Sequence, residues 1–281
     1  MKLFEIVSLG TNLCKGYSFE KALDIVKKSG FTYVEPSSII NMCEHVRPEE
    51  MTAEYASKVK AMLAEKGLKC YALSGHVDLT EEKQFHDFLK KIAFAGRIGA
   101  KMINTNSGPL QKLDIFYKNM KEIIKEAEKW DVVIGLESHG DIVSTAKDSV
   151  EIFKYFHHPL VRLNYDTGNT LFYSGGKVKV EEDIKYGFEY LAHLHLKDIR
   201  IRGKDVAYVS IGAGDVHFPA FFKTLSALGR KIPCGYEIPV HVKGILGSIG
   251  PQNTPMPEEG IYRAVRESTE YVEKLLEGIT E

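Results

Sequence analysis

Short apolar runs of strand length alternate along the chain with longer stretches in which apolar residues recur every three or four positions. The runs begin at Leu3, Thr32, Leu68, Lys101, Val132, Val161, Leu191 and Ile232, and the helical stretches lie near 19–29, 50–66, 81–98, 112–129, 145–156, 180–190, 217–229 and 261–277. The first stretch has Ser18 placed as an N-cap, Glu20 in its first turn, Lys27 and Lys28 in its last, and Gly30 beyond. Phe19, Ala22, Leu23 and Val26 give it one apolar face. Gly67 and Gly99 close the next two. This alternation predicts parallel strands joined by right-handed crossovers. Eight such units in a chain of 281 residues predict an α/β protein with a single (β/α)8 TIM barrel spanning 1–281. An open doubly wound sheet would bring a GxGxxG turn after the first strand, and none is there.

Two regions break the rhythm. Residues 199–216 carry Arg200, Arg202 and Lys204, then Ile211-Gly212-Ala213-Gly214-Asp215. Residues 238–260 are rich in glycine and proline, including Pro239, Gly244, Gly247, Gly250 and Pro251. Both follow strands, so both are expected as long loops on the catalytic face of the barrel.

Polar residues collect where four strands end: Leu136-Glu137-Ser138-His139, Asn164-Tyr165-Asp166, His193-Leu194-His195-Leu196-Lys197 and Gly235-Tyr236-Glu237. Residues two apart share a face of a strand. Leu136, Leu163, Leu194, Leu196 and Tyr236 then point outward to the helices, while Glu137, Asp166, His195 and Glu237 point inward. A plain barrel core would be apolar at those inward positions, and buried carboxylates need a partner charge or a metal. Any one of the four could instead cap a helix or make a surface ion pair; the shared parity on four strands favours a common site. Three carboxylates and one imidazole suit a divalent cation, Mn2+ first, with Mg2+, Co2+ or Zn2+ also compatible. Such an ion would act as a Lewis acid on a carbonyl and stabilise an enediolate.

Other polar residues surround this set. His139 lies two positions after Glu137 and is a candidate base or an ordinary loop histidine. His193 reads as a core or supporting histidine. His76, Asn104, Lys197, Arg200 and Glu35 are candidate contacts to substrate oxygens. The asparagine has a turn-forming alternative, and Lys197 could pair locally with Asp198. His157-His158 falls at the opposite end of the barrel and is assigned no chemistry, and Trp130 reads as a packing residue.

Composition narrows the partners. Lys+Arg 37 against Asp+Glu 38 leaves no field for a polyanion, which argues against nucleic acid. The four cysteines lie far apart with no CxxC pair, as in a reduced, intracellular, cytoplasmic protein. The N-terminal residues show no leader pattern, and no apolar stretch is long enough to span a membrane. The expected partner is a small carbohydrate. Oligomeric state stays open between monomer, homo-oligomer and association with a small accessory subunit.

The motifs resemble, essentially end to end, the xylose-isomerase-like TIM-barrel proteins, also called the sugar phosphate isomerase/epimerase superfamily. They are Glu137 in LESHG, Asp166 in NYDTGN, His195 in HLHLKD, IGAGDVHFP at 211–219 and Glu237 in GYEIP. The resemblance implies a divalent metal held by Glu137, Asp166, His195 and Glu237. In the ketose 3-epimerases of this family the two metal-bound glutamates exchange the substrate proton on opposite faces. Where those epimerases carry a histidine, a second glutamate and an arginine, this chain has Asn169, Val143 and Ile201, with Arg200 and Arg202 flanking the last. LESHG and DTGN, with His139 and Asn169, are more similar to branches acting on inososes, keto-glycosides or C-glycosides, where an added base such as His139 would assist elimination; Asn169 joins the candidate substrate contacts. The expectation is a metal-dependent isomerase or epimerase of a small sugar, keto-sugar or cyclitol, using Glu137, Glu237 and His139. The alternative is a lyase at the same site, an inosose-type dehydratase or a C-glycoside deglycosidase subunit. An AP-endonuclease-like metal nuclease is disfavoured by the near-neutral charge.

Overall fold

The computed structural model describes residues 3–246, 248–251 and 254–280; Gly247 of the glycine- and proline-rich region lies outside the described residues. The predicted barrel strands are Phe4–Gly10, Tyr33–Glu35, Lys69–Cys70 continued by Ala72–Ser74, Met102–Thr105, Val133–Glu137, Val161–Asp166, Leu191–Leu196 and Ile232–Tyr236. All pair in parallel, and the first pairs with the eighth, with Ser8 opposite Gly235. The third strand breaks at Tyr71. Its first piece pairs with the second strand and its second piece with the fourth, which closes the ring.

The helices are α1 (Phe19–Lys28), α2 (Ala53–Glu65), α3 (Glu82–Ile98), α4 (Leu113–Trp130), α5 (Ala146–Phe156), α6 (Thr167–Tyr173), α7 (Val180–Gly187), α8 (Phe218–Leu228) and α9 (Glu258–Thr280). Ser18, Thr52 and Thr145 each accept a backbone N–H of the first turn of the helix they precede. Such caps stabilise a helix by about 1 kcal/mol each. The outward strand residues Ile134, Leu136, Leu163, Leu194 and Leu196 are fully buried under the helices, as their parity requires. Trp130 packs against Gly96, and the Arg97 guanidinium lies 4.9 Å from its ring centroid.

Two expectations are corrected. The region after Asp166 carries the short helix α6, which sequence periodicity does not reveal because it has only seven residues. Regions 199–216 and 238–260 are not simply loops. Asp198–Arg202, Asp205–Val209, Val242–Ile245 and Ser248–Pro251 form a four-stranded antiparallel accessory sheet. Charged residues and glycines hide its alternation, and its pairing joins segments some forty residues apart, which no local pattern reports. The Asp198 carboxylate anchors it, accepting the backbone N–H groups of Gly212, Gly214 and Val216 at 2.8–3.1 Å.

Candidate functional site

Glu137, Asp166, His195 and Glu237 meet at the C-terminal mouth of the barrel, each offering one ligand atom within 4.8 Å of the others. All four are buried. His195 Nδ1 lies 2.9 Å from Glu137 Oε2, 3.0 Å from Glu237 Oε2 and 3.7 Å from Asp166 Oδ2. The two glutamates are held alike. Glu137 Oε1 accepts the Asn169 amide at 2.8 Å, and Glu237 Oε1 accepts the Asn12 amide at 2.8 Å. Each keeps its Oε2 turned to the common centre. Asp166 caps α6 by accepting the Asn169 N–H at 2.7 Å on Oδ1, which leaves Oδ2 facing inward.

Lys197 completes the cluster. Its ammonium lies 3.0 Å from Asp166 Oδ2 and 2.9 Å from Glu237 Oε2, and donates to Asn169 Oδ1 at 3.2 Å. The stem passes over Gly168, where a Cβ would come within 2.7 Å of Lys197 Cγ. Asp166 Oδ2 and Glu237 Oε2 are buried and are met only by the Lys197 ammonium and the His195 ring among the described residues. Two such oxygens beside an imidazole nitrogen and a third carboxylate make a donor set suited to a hard divalent cation. The four residues fit that role.

The electrostatics follow from burial and crowding. Burial pushes the Asp166 carboxyl up to about 8, with Lys197 opposing and Glu237 and Glu137 adding to the rise. Burial also works to raise Glu137, but His76 and His195 outweigh it and hold the carboxyl well below the usual range. For Glu237, Lys197 and His195 overcome burial in the same way. Burial works to lower His195, and Glu35, Glu137 and Glu237 together carry it well above the ordinary histidine value.

The remaining candidates divide into three groups. His76 joins the cluster, with Nε2 donating to Glu137 Oε2 at 2.9 Å. His139 is half-buried beside it, ring centroids 5.9 Å apart, with Nδ1 3.1 Å from the Tyr173 hydroxyl. Loss of water around its ring pushes it down to about 4, so it is a neutral imidazole near pH 7. Glu35 and Asn104 lie one layer deeper: Glu35 Oε1 is 2.9 Å from His195 Nε2 and accepts the Asn104 amide at 3.0 Å. Arg200 stands apart. It is exposed, donates to the Ala213 carbonyl, and lines a cavity of about 650 Å³ between the accessory sheet and α9.

Sequence reasoning passed over Asn12, Tyr173 and Tyr208. Asn12 follows the first strand without a motif around it. Tyr173 sits on the unrevealed helix α6. Tyr208 belongs to the accessory sheet, and its hydroxyl lies 3.4 Å from Asn169 Oδ1. Asn164, two residues before Asp166 on the same face of its strand, donates to Glu137 Oε2 at 2.6 Å and accepts from His193 Nδ1 at 2.9 Å.

Comparison with known proteins agrees with this architecture. The model of the family described as xylose isomerase-like TIM barrel matches residues 23–270, and the chain belongs to that family. An inosose dehydratase of Mesomycoplasma hyopneumoniae (strain 7448) is 26% identical over 223 residues, covering 63% of this chain and 71% of that protein. Among solved structures, a D-allulose 3-epimerase from Methylomonas sp. superposes with a TM-score of 0.73 at 14% identity, over 98% of this chain and 99% of that one. A xylose isomerase-like TIM barrel protein from Mycobacterium smegmatis in complex with magnesium gives 0.70 at 18% identity, over 98% of both chains. Among the described residues no helix is long and apolar enough to cross a membrane, and all four cysteines are buried free thiols.

Proposed function

We propose that the protein is a divalent-metal-dependent isomerase or epimerase that moves a proton on the carbon next to a carbonyl in a small sugar, keto-sugar or cyclitol. The observation that carries this reading is the matched pair of glutamates. Glu137 and Glu237 each have Oε1 clamped by an amide and Oε2 turned to the same centre beside His195 Nδ1. One takes the proton and the other returns it, and positioned proton transfer of this kind contributes about 10²–10⁴-fold. A divalent cation held by Glu137, Asp166, His195 and Glu237 would supply Lewis-acid stabilisation of the negative charge left when the proton departs. Lys197, Asn169 and His76 are placed to bind substrate hydroxyls while leaving the carboxylates oriented. The Lys197 ammonium at the centre is already matched by Asp166 and Glu237, which suits a neutral polyol rather than a phosphorylated one. The likeness of the fold to a D-allulose 3-epimerase and to a family protein in complex with magnesium supports the same reading.

A second reading is elimination at the same site. It is favoured by His139, a neutral imidazole beside Glu137 with Tyr173 at its back, which could act as the added base, taking the proton alpha to the carbonyl and returning it as imidazolium to the hydroxyl that leaves as water. The inosose dehydratase relative points the same way. Mass spectrometry of products from ketoses, inososes and keto-glycosides in deuterated water separates the two. Isomerisation conserves the carbon and oxygen count and places deuterium on carbon; elimination releases water. Turnover of none of these substrates by the metal-loaded protein would sink both.

A further inference from the structure

Beneath the ligand cluster lies a second polar layer that the proposed chemistry does not use. It consists of Glu35, Asn104, Asn164 and His193, and each is at most 1% exposed. Barrel interiors are built in layers of inward side chains, usually branched and apolar. A carboxylate there is expensive unless its charge is matched. Glu35 comes from the second strand and reaches His195 on the seventh, across the first and eighth. Two glycines clear its path. A Cβ on Gly235 would fall 2.5 Å from Glu35 Oε2 and 3.2 Å from His195 Cδ2. A Cβ on Gly135 would fall 2.3 Å from Asn104 Oδ1, and Asn104 is the residue that donates to Glu35. Each glycine stands two residues before a ligand glutamate, on the same face and one layer down.

We propose that Glu35 is a positioning residue: it keeps a proton on His195 Nε2 and so presents Nδ1 to the cation site. This rests on the metal reading above. A neutral imidazole has one N–H and one lone pair, and the partner of the N–H decides which nitrogen is free to ligate. Nε2 has the Glu35 carboxylate at 2.9 Å, and Nδ1 faces Glu137 and Glu237 at 2.9 and 3.0 Å. The Asn104 amide fixes the accepting oxygen, so the ring is pinned from below rather than by its ligand partners alone. Without Glu35, the Nε2 proton would lose its acceptor in a layer from which water is excluded, and the ring would be free to turn or to move its proton to Nδ1.

The test compares wild type with Glu35→Leu and Glu35→Gln by Co2+ titration and by NMR of protein carrying ¹⁵N-labelled histidine. Glu35→Leu is expected to weaken Co2+ binding about 10–100-fold, and to lose the slowly exchanging Nε2–H resonance of His195. Glu35→Gln keeps an accepting oxygen and is expected to lie between the two, with the resonance retained. Thermal unfolding of the metal-free proteins separates general destabilisation from this effect. Co2+ binding within twofold of wild type in Glu35→Leu, or an Nε2–H signal that survives there, overturns the proposal. Should Glu35→Leu fail to fold, Glu35→Gln decides: unchanged affinity and an unshifted resonance overturn it. If wild type takes up no Co2+ at all, the metal reading fails by itself. The resonance then judges the Glu35–His195 bond, supporting it if Glu35→Leu abolishes the signal and overturning it if the signal persists.

Discussion

The Lys197 ammonium lies 2.9 Å from Glu237 Oε2, at an oxygen that also belongs to the candidate metal-ligating set. Asp166 Oδ2 shares the same ammonium at 3.0 Å. Lys197 thus sets a positive charge against two buried carboxyl groups and lowers the cost of ionising either. Replacing Lys197 with Met should destabilise the metal-free protein by about 3 kcal/mol, the scale for removing one partner of a buried ion pair. Saturating Mg2+ or Mn2+ should restore part of that loss. Urea unfolding with and without metal measures both, and a variant as stable as wild type would refute the pairing.

Glu237→Gln keeps the shape and the contact to Asn12 but removes the proton acceptor. Turnover should fall by at least about 10²-fold, the lower end for loss of a general acid or base. Steady-state assay at saturating metal checks this, with circular dichroism to show an intact fold. Near-normal turnover would remove Glu237 from the proton path.

Metal should be retained in about a one-to-one ratio and should stabilise the fold. At a free concentration of about 100 times Kd, the gain from binding is about 2.7 kcal/mol. Elemental analysis followed by thermal unfolding in chelator and in Mn2+ gives the comparison. Asp166→Asn should lose most of the metal-induced shift; an equal shift in that variant would place the ion elsewhere.

Gly235→Ala should cost about 1–3 kcal/mol, as expected for crowding a packed interior. The added methyl must displace the Glu35 carboxylate or the His195 ring. Metal affinity should therefore fall together with stability. A denaturation midpoint equal to wild type would contradict the tight packing of the second layer.

Lys91 gives a pH signature away from the cluster. It is fully buried on α3 and donates to the carbonyls of Ser38 at 2.6 Å and Gly75 at 3.2 Å. Burial pushes its ammonium down to about 8, with Glu44 and Asp87 pulling the other way. Below about 8 both folded and unfolded chains hold the proton, and its burial penalty is present in full. Between about 8 and 10.5 the folded chain releases the proton while the unfolded chain keeps it, so stability rises with pH. The gain saturates at about 3 kcal/mol, counting roughly 1.4 kcal/mol per pKa unit. Relative to Lys91→Met, which cannot titrate, wild type should gain stability across that window. Parallel pH curves for the two proteins would show that Lys91 is not depressed.

The barrel and the four converging side chains were legible because both follow from local rules. Alternation places Glu137, Asp166, His195 and Glu237 inward, and strand ends place them at one mouth. The long-range pieces were not. Asn12 acts on Glu237 from the far end of the chain, and nothing in its surroundings marks it. Tyr208 reaches Asn169 only because the accessory sheet forms, and that sheet depends on pairing between segments with no repeated pattern. Glu35 shows a subtler limit. Its inward direction could be read, but its depth depends on the missing side chain of Gly235, a residue from another strand.

The accessory sheet draws Asp205–Val209 from one connection and Val242–Ile245 from another, and they share a ladder, with Val206 opposite Gly244. Transplanting a single loop from a relative would leave half of that ladder facing a foreign edge. Attempts to redirect this scaffold toward another compound should therefore exchange the two connections as one cassette, together with Asp198, which fastens the first of them.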